Sequence, residues 1–202
     1  MTHGPVPPPE QLRDGGYTFA CAMTVEERIA RRLGRTALVG LGASRGVPEG
    51  RLVSFGIAGA LSGDLPIGTV IDATRVVDES GATLWEGPGL GVRGARAGVL
   101  LGGNALVHDA AERDQLRAAS GADAVDMESG PLARSGRLAG VVRAISDDAS
   151  SAVEGLETTV HADGRTNAFG LLRWIAKQRG DAIRSIRGAL RALKALEQAV
   201  AT

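Results

Sequence analysis

Apolar runs of strand length, several of them apolar on both faces, alternate along this chain with segments of helical period. That alternation restricts its fold more than any other feature. Tyr17–Ala22, Ala37–Leu41, Leu52–Ile57, Thr69–Val77, Ala97–Leu101 and Leu138–Ile145 read as strands. Strands without polar interruption belong in a sheet covered by helices on both sides. Thr24–Leu33, His108–Ala119, Thr166–Lys177 and Asp181–Val200 read as those helices. In the last, Ile183, Ile186, Leu190, Leu193 and Leu196 recur at helical spacing and predict one apolar stripe. The interleaving predicts an α/β layered domain over residues 17–202, preceded by a loose Pro-rich tail, 1–16, carrying Pro5, Pro7, Pro8 and Pro9.

Composition narrows the function. Lys plus Arg, 23 residues, balances Asp plus Glu, 23 residues, so the chain lacks the basic excess of a nucleic-acid binder. Glycine is abundant, 29 residues, and aromatics are only 3%, which suits tight turns and close backbone approach to a ligand. One cysteine, Cys21, excludes an internal disulfide. The first residues have neither the basic start nor the apolar core of a signal peptide, and no apolar run reaches the ~20 residues of a membrane span. These features predict a cytoplasmic protein. His3, His108 and His161 lack metal-ligand spacing, so no metal is expected.

Two familiar motifs are imitated near Gly40. Gly40-Leu41-Gly42-Ala43-Ser44-Arg45-Gly46 resembles a dinucleotide-binding loop, and Gly42-Ala43-Ser44-Arg45-Gly46 has the spacing of a nucleophile elbow, with Asp147 and His161 following in the order of an esterase triad. Both need a helix directly after the loop, and Pro48 and Gly50 stand there instead. Tyr17, the only tyrosine, lacks the lysine four residues on that a short-chain dehydrogenase uses. A plain glycine turn fits the residues better.

Four other stretches carry the most specific signal: Ala22-Met23-Thr24-Val25-Glu26, Ser54-Phe55-Gly56-Ile57-Ala58-Gly59-Ala60-Leu61, Val125-Asp126-Met127-Glu128-Ser129 and Arg143-Ala144-Ile145-Ser146-Asp147. Their order and spacing, from about Tyr17 to Asp147, resemble the nucleoside phosphorylase and nucleosidase superfamily, which includes methylthioadenosine nucleosidase, futalosine hydrolase and purine nucleoside phosphorylase. The resemblance implies a three-layer α/β/α sandwich with a central mixed sheet and N-glycosidic cleavage of a purine nucleoside. It implies a homodimer and no cofactor.

Breaking an N-glycosidic bond builds positive charge on the ribose and negative charge on the departing base. A carboxylic acid that protonates the base contributes roughly 10²–10⁴ in rate. By the resemblance that acid is Asp147, oriented by Ser146, with a proton kept at neutral pH by burial. Glu128 would bind the ribose hydroxyls and favour the cationic sugar, with Met127 against the ring. Glu26 would activate the attacking water, helped by Arg143. Gly56, Ala58 and Gly59 would form the glycine loop, and the backbone at Leu106 and Val107 would read the base edge. Each acid has a plainer reading: a helix-dipole acid for Glu26, a loop cap for Asp147, a solvated helix-start acid for Glu128. Against the first stands an expected capping box of Thr24 with Glu27, which leaves Glu26 without a structural task.

The chain also departs from the pattern. Ile57 stands where several nucleosidases place a water-binding serine, and Leu106 where an aromatic residue usually stacks on the base. Only about ten residues join the strand ending near Leu41 to the one starting at Leu52, where the family normally fits a helix. These departures leave a non-catalytic nucleoside-binding protein as an alternative. Val160-His161-Ala162-Asp163-Gly164-Arg165 resembles the hopanoid-associated branch, called hopanoid phosphorylase or adenosylhopane nucleosidase. That implies a lipid-linked nucleoside substrate. Leu171, Leu172, Trp174 and Ile175 beside Arg173, Lys177 and Arg179 would then suit peripheral contact with a membrane, although a helix burying one face in the core or a dimer interface explains them more simply. The phosphate loop of true phosphorylases is missing after the first strand, which favours water over phosphate as nucleophile.

Overall fold

The computed structural model describes residues 12, 15–103, 109–148 and 186–201. Eight strands form one mixed sheet: β1 (Thr18–Cys21), β2 (Arg35–Leu38), β3 (Leu52–Ala60), β4 (Val70–Val77), β5 (Thr83–Glu86), β6 (Arg96–Gly102), β7 (Ala124–Asp126) and β8 (Leu138–Asp147). Among the described residues the helices that accompany them are α1 (Thr24–Ala30), α2 (Ala110–Ser120), α3 (Ser129–Arg134) and α4 (residues 186–200). The sheet runs β2-β1-β3-β7-β6-β4-β5, and β8 pairs with both β3 and β4. β3, β8, β4, β6 and β7 therefore close a ring in which every strand has two neighbours.

Alternate residues of one strand enter opposite layers, as a pleat requires. Val53 and Phe55 of β3 pack with Phe19, with Ile29 and Ala30 of α1, and with Leu196 and Val200 of α4. Leu52, Ala58 and Ala60 pack on the other side with Leu132 and Ala133 of α3. Leu61, Leu101 and Val125 form a smaller cluster under Leu116 of α2. The expected α/β class and mixed sheet are what the chain folds into. Leu12, within the stretch expected to be a loose tail, is buried in the first of these layers.

Some expected elements shift. The strand expected at Ala37–Leu41 spans Arg35–Leu38, because Gly40 turns the chain at φ 73° into a 3-10 turn, Leu41–Ala43. No helix follows Ser44, so the elbow and dinucleotide-loop geometries are absent from this fully described stretch. β5, β7 and α3 went unpredicted, being 4, 3 and 6 residues long and too short to show a period. The expected helix Thr166–Lys177 and residue His108 lie outside the described residues.

The apolar stripe expected on the last helix is rotated. The buried face is Gly188, Ala192, Leu196 and Val200, while Leu190 is 61% exposed. The reason is steric: a Cβ at Gly188 would overlap the carbonyl oxygen of Ser146, so small residues face the sheet there. Gly188→Ala is expected to destabilise the fold by roughly 1–3 kcal/mol through overpacking. A thermal melt would register this as a lower Tm than wild type, despite the helix preference for alanine.

Candidate active site

The strongest polar cluster in the described residues surrounds Arg143, which β8 carries into the interior with no exposed surface. Its Nε lies 2.6 Å from Asp126 Oδ2 at the end of β7. Its other nitrogens donate to Ser54 Oγ at 2.7 Å, to Glu128 Oε2 at 3.3 Å and to the Ile57 carbonyl at 3.3 Å. Both terminal nitrogens thus donate, while Nε meets Asp126 as an ion pair and not as a hydrogen-bond donor. The Ser54 and Ser129 hydroxyls lie 3.1 Å apart, and Ser129 donates to Asp126 Oδ2 at 2.5 Å. Asp126 also accepts the Ser129 backbone N–H at 2.9 Å and so anchors the start of α3.

Glu26 approaches from α1. Its Oε1 accepts the Ile57 N–H at 3.0 Å, and its Oε2 reaches back to the Met23 N–H at 2.9 Å. This corrects the expected capping. Met23 rather than Thr24 is the N-cap, which makes Glu26 the third helical residue and gives it the capping contact. Glu27 instead accepts from Thr36 Oγ1 and pairs with Arg31. Glu26 therefore has both a structural task and a place beside Arg143. A Cβ at Gly56 would come within 2.5 Å of Arg143 Nη1 and 2.7 Å of the Glu26 carboxyl carbon, so only glycine lets the two side chains meet over β3.

Glu128 is 4% exposed, which sets aside the solvated helix-start reading. Its Oε1 accepts the N–H of Gly42 at 3.0 Å. Gly42 adopts φ 58° in the 3-10 turn, a left-handed conformation natural to glycine. The glycine turn thus reaches the acidic cluster with a backbone donor. Met127 is half-buried near the same turn.

Three buried carboxylates share one buried guanidinium, and the electrostatics follow. Burial pushes the Glu26 carboxyl up from its ordinary range, against the pull of Arg143 and its N–H donors. Glu128 is pushed up to about 7, by burial first, with Arg143 opposing and the charges of Asp126 and Glu26 adding to the rise. Burial works against the charge of Arg143, but Asp126, Glu128 and Glu26 outweigh it and hold the guanidinium above its usual range. Burial, aided by Glu26, pushes the nearby Cys21 thiol well up, so it is no thiolate nucleophile.

Asp147 lies farther along the same strands. In β3, Gly56 faces Arg143 and Gly59 faces Asp147, about 10 Å apart at ~3.3 Å per residue. The pairing skips Ser146, an irregularity between Ala58 and Gly59. Ser146 Oγ lies 3.2 Å from the Ala58 carbonyl oxygen and 2.7 Å from Asp147 Oδ1. Asp147 Oδ2 accepts from Arg113 of α2, whose other terminal nitrogen donates to the Ala60 carbonyl at 2.7 Å. A Cβ at Gly59 would lie 3.0 Å from both Arg113 Nη1 and Asp147 Oδ2.

The fold therefore gathers Glu26, Glu128 and Arg143 at one point and places Ser146 and Asp147 at the next turn of the same strand edge. Leu106 and Val107 lie outside the described residues. Sequence reasoning missed Asp126, Ser54, Gly42 and Arg113. Asp126 and Ser54 stood inside quoted stretches. Arg113 left one usable signal: with Leu116 and Ser120 it falls at helical spacing on the inward face of α2, where an apolar residue is ordinary.

No protein-family model and no curated protein matches this sequence. Solved structures do match in fold. A Helicobacter pylori methylthioadenosine nucleosidase mutant with 5′-methylthioadenosine in its active site superposes with TM-score 0.56 at 17% identity, covering 86% of this chain and 97% of that one. A Neisseria meningitidis 5′-methylthioadenosine/S-adenosylhomocysteine nucleosidase in complex with methylthio-immucillin-A gives 0.56 at 16% identity, covering 91% and 97%. Native futalosine hydrolase of Helicobacter pylori gives 0.54 at 17% identity, covering 91% and 96%. At these identities the likeness establishes the fold.

Proposed function

We propose that this chain is a purine nucleosidase, cleaving the N-glycosidic bond of a 5′-substituted adenine nucleoside with water. The observation that carries the reading is the charge of the cluster: Glu26, Asp126 and Glu128 gather around a single arginine. Such a site favours a sugar that becomes cationic at the transition state. It disfavours a phosphate dianion, because the buried carboxylates around the arginine repel it. Water is therefore the nucleophile.

In this mechanism the sugar lies over Gly56 and the base toward Gly59. Asp147 gives its proton to the base as the bond to the anomeric carbon breaks and the electron pair leaves with the base. Glu26 takes a proton from the water that attacks the anomeric carbon. Glu128 holds the ribose hydroxyls, Met127 packs beside the sugar, and the backbone near Leu106 and Val107 reads the base. Two fold relatives were solved with a methylthio-nucleoside or an immucillin bound, which supports a nucleoside of this size as substrate. The finer identity, adenosylhopane, rests on the Val160–Arg165 stretch, as do the apolar route for its tail and peripheral membrane contact; a homodimer belongs to the same reading.

The test is a panel of 5′-substituted adenosines, including methylthioadenosine and adenosylhopane, with and without phosphate and with products identified by mass. The expected result is free adenine and a free 5′-substituted ribose without phosphate. A ribose 1-phosphate formed only with phosphate would overturn the hydrolytic step. Nucleoside binding without adenine release would make the chain a binding module.

A further inference from the structure

Arg113 is 2% exposed, and nothing in the reaction outlined above uses it. Its burial is not explained by stability. A buried ion pair is often neutral or unfavourable against a packed hydrophobe of similar volume, and Leu116, one turn along the same face of α2, shows what packs there. Yet the arginine is held closely. Nη1 donates to the Ala60 carbonyl, Nη2 donates to Asp147 Oδ2, and Gly59 leaves the space that both side chains occupy.

We propose that Arg113 is a positioning residue for the acid: it fixes the Asp147 carboxyl group against Gly59 and receives the negative charge left there when the proton passes to the departing base. The inference rests on the nucleosidase reading. The two oxygens of Asp147 have different partners, Arg113 on Oδ2 and Ser146 on Oδ1. Arg113 only donates, so it matches the carboxylate formed after proton transfer. The Ser146 hydroxyl serves both states. It donates to Oδ1 when Asp147 is ionised. When Asp147 carries its proton on Oδ1, the hydroxyl turns its own hydrogen toward the Ala58 carbonyl and leaves the Oδ1 proton to face the base. The proton gained by the base equals the one lost by Asp147, and the acid is reloaded from solvent after the products leave.

The test compares wild type, Arg113→Met, Arg113→Lys, Asp147→Asn and the Arg113→Met/Asp147→Asn double variant on the best substrate of the panel, with folding checked by circular dichroism. Arg113→Met is expected to lower kcat by roughly 10- to 100-fold with KM nearly unchanged, and Arg113→Lys to recover most of the loss. The double variant should be no slower than Asp147→Asn alone, because both changes disable one device. If Arg113→Met does not fold, Arg113→Gln, neutral and able to keep the Ala60 contact, takes its place under the same expectations. Wild-type kcat in the neutral variant, a loss confined to KM, or multiplying losses in the double variant would overturn the role of Arg113 while leaving the nucleosidase standing. A wild-type protein that releases no base overturns both.

Discussion

Methionine in place of Arg143 is expected to destabilise the fold by about 3–5 kcal/mol, the usual effect of stripping one partner from a buried ion pair. Against a total stability of roughly 5–15 kcal/mol, that is a fifth of the whole or more. The side chain is of similar length and apolar, so little space is opened; the damage is electrostatic. Asp126, Glu128 and Glu26 would stay buried without their cation. The carboxyls of Glu26 and Glu128, already raised, would rise further, so the loss is largest at high pH and shrinks as pH falls and they take up protons. Urea unfolding at pH 8 and pH 5.5 checks this. An unchanged midpoint at pH 8 would mean that Arg143 does not hold the cluster together.

Glutamine at position 128 should do the opposite to stability and abolish most of the activity. The Glu128 carboxyl is raised from an ordinary value of 4.5 to about 7. The sign follows from linkage: a group that binds its proton more tightly when folded stabilises the fold below its unfolded pKa and loses that contribution as pH rises through 7. Above pH 7 wild type therefore carries a penalty on the order of 3 kcal/mol that a neutral amide avoids. Glu128→Gln is expected to melt higher than wild type at pH 8, with the advantage fading toward pH 5. Adenine release should fall by about 10²–10³, the effect of losing one charge-stabilising group at the transition state. Melting curves across that pH range and the nucleoside assay decide both halves. A variant less stable at pH 8 would contradict the burial cost assigned to Glu128.

The layered α/β architecture was legible in the sequence because buried strands advertise themselves as uninterrupted apolar runs. Glu26, Glu128 and Arg143 were legible as a set because four short stretches keep a recognisable order, and the chain brings them within hydrogen-bonding reach of shared partners. What stayed hidden was made by topology. Arg113 meets Ala60 across 53 residues, and Gly42 meets Glu128 across 86. No local pattern encodes either contact. The capping error at Thr24 was a shift of one residue, yet it reassigned the structural task from Glu27 to Glu26. In the last helix hydrophobic spacing does not choose the buried face; the crowding of Gly188 against Ser146 decides which face turns inward.

The skipped pairing of Ser146 separates the soundness of this molecule from its competence. Were the ladder regular there, with no residue skipped, Ser146 would stand across from Gly59 and Asp147 would move one place on, to the opposite face. The layers, the ring and the cluster around Arg143 would all survive that change of register. On the proposed nucleosidase reading, the result would be a protein that looks healthy in every test of shape and has lost its source of protons.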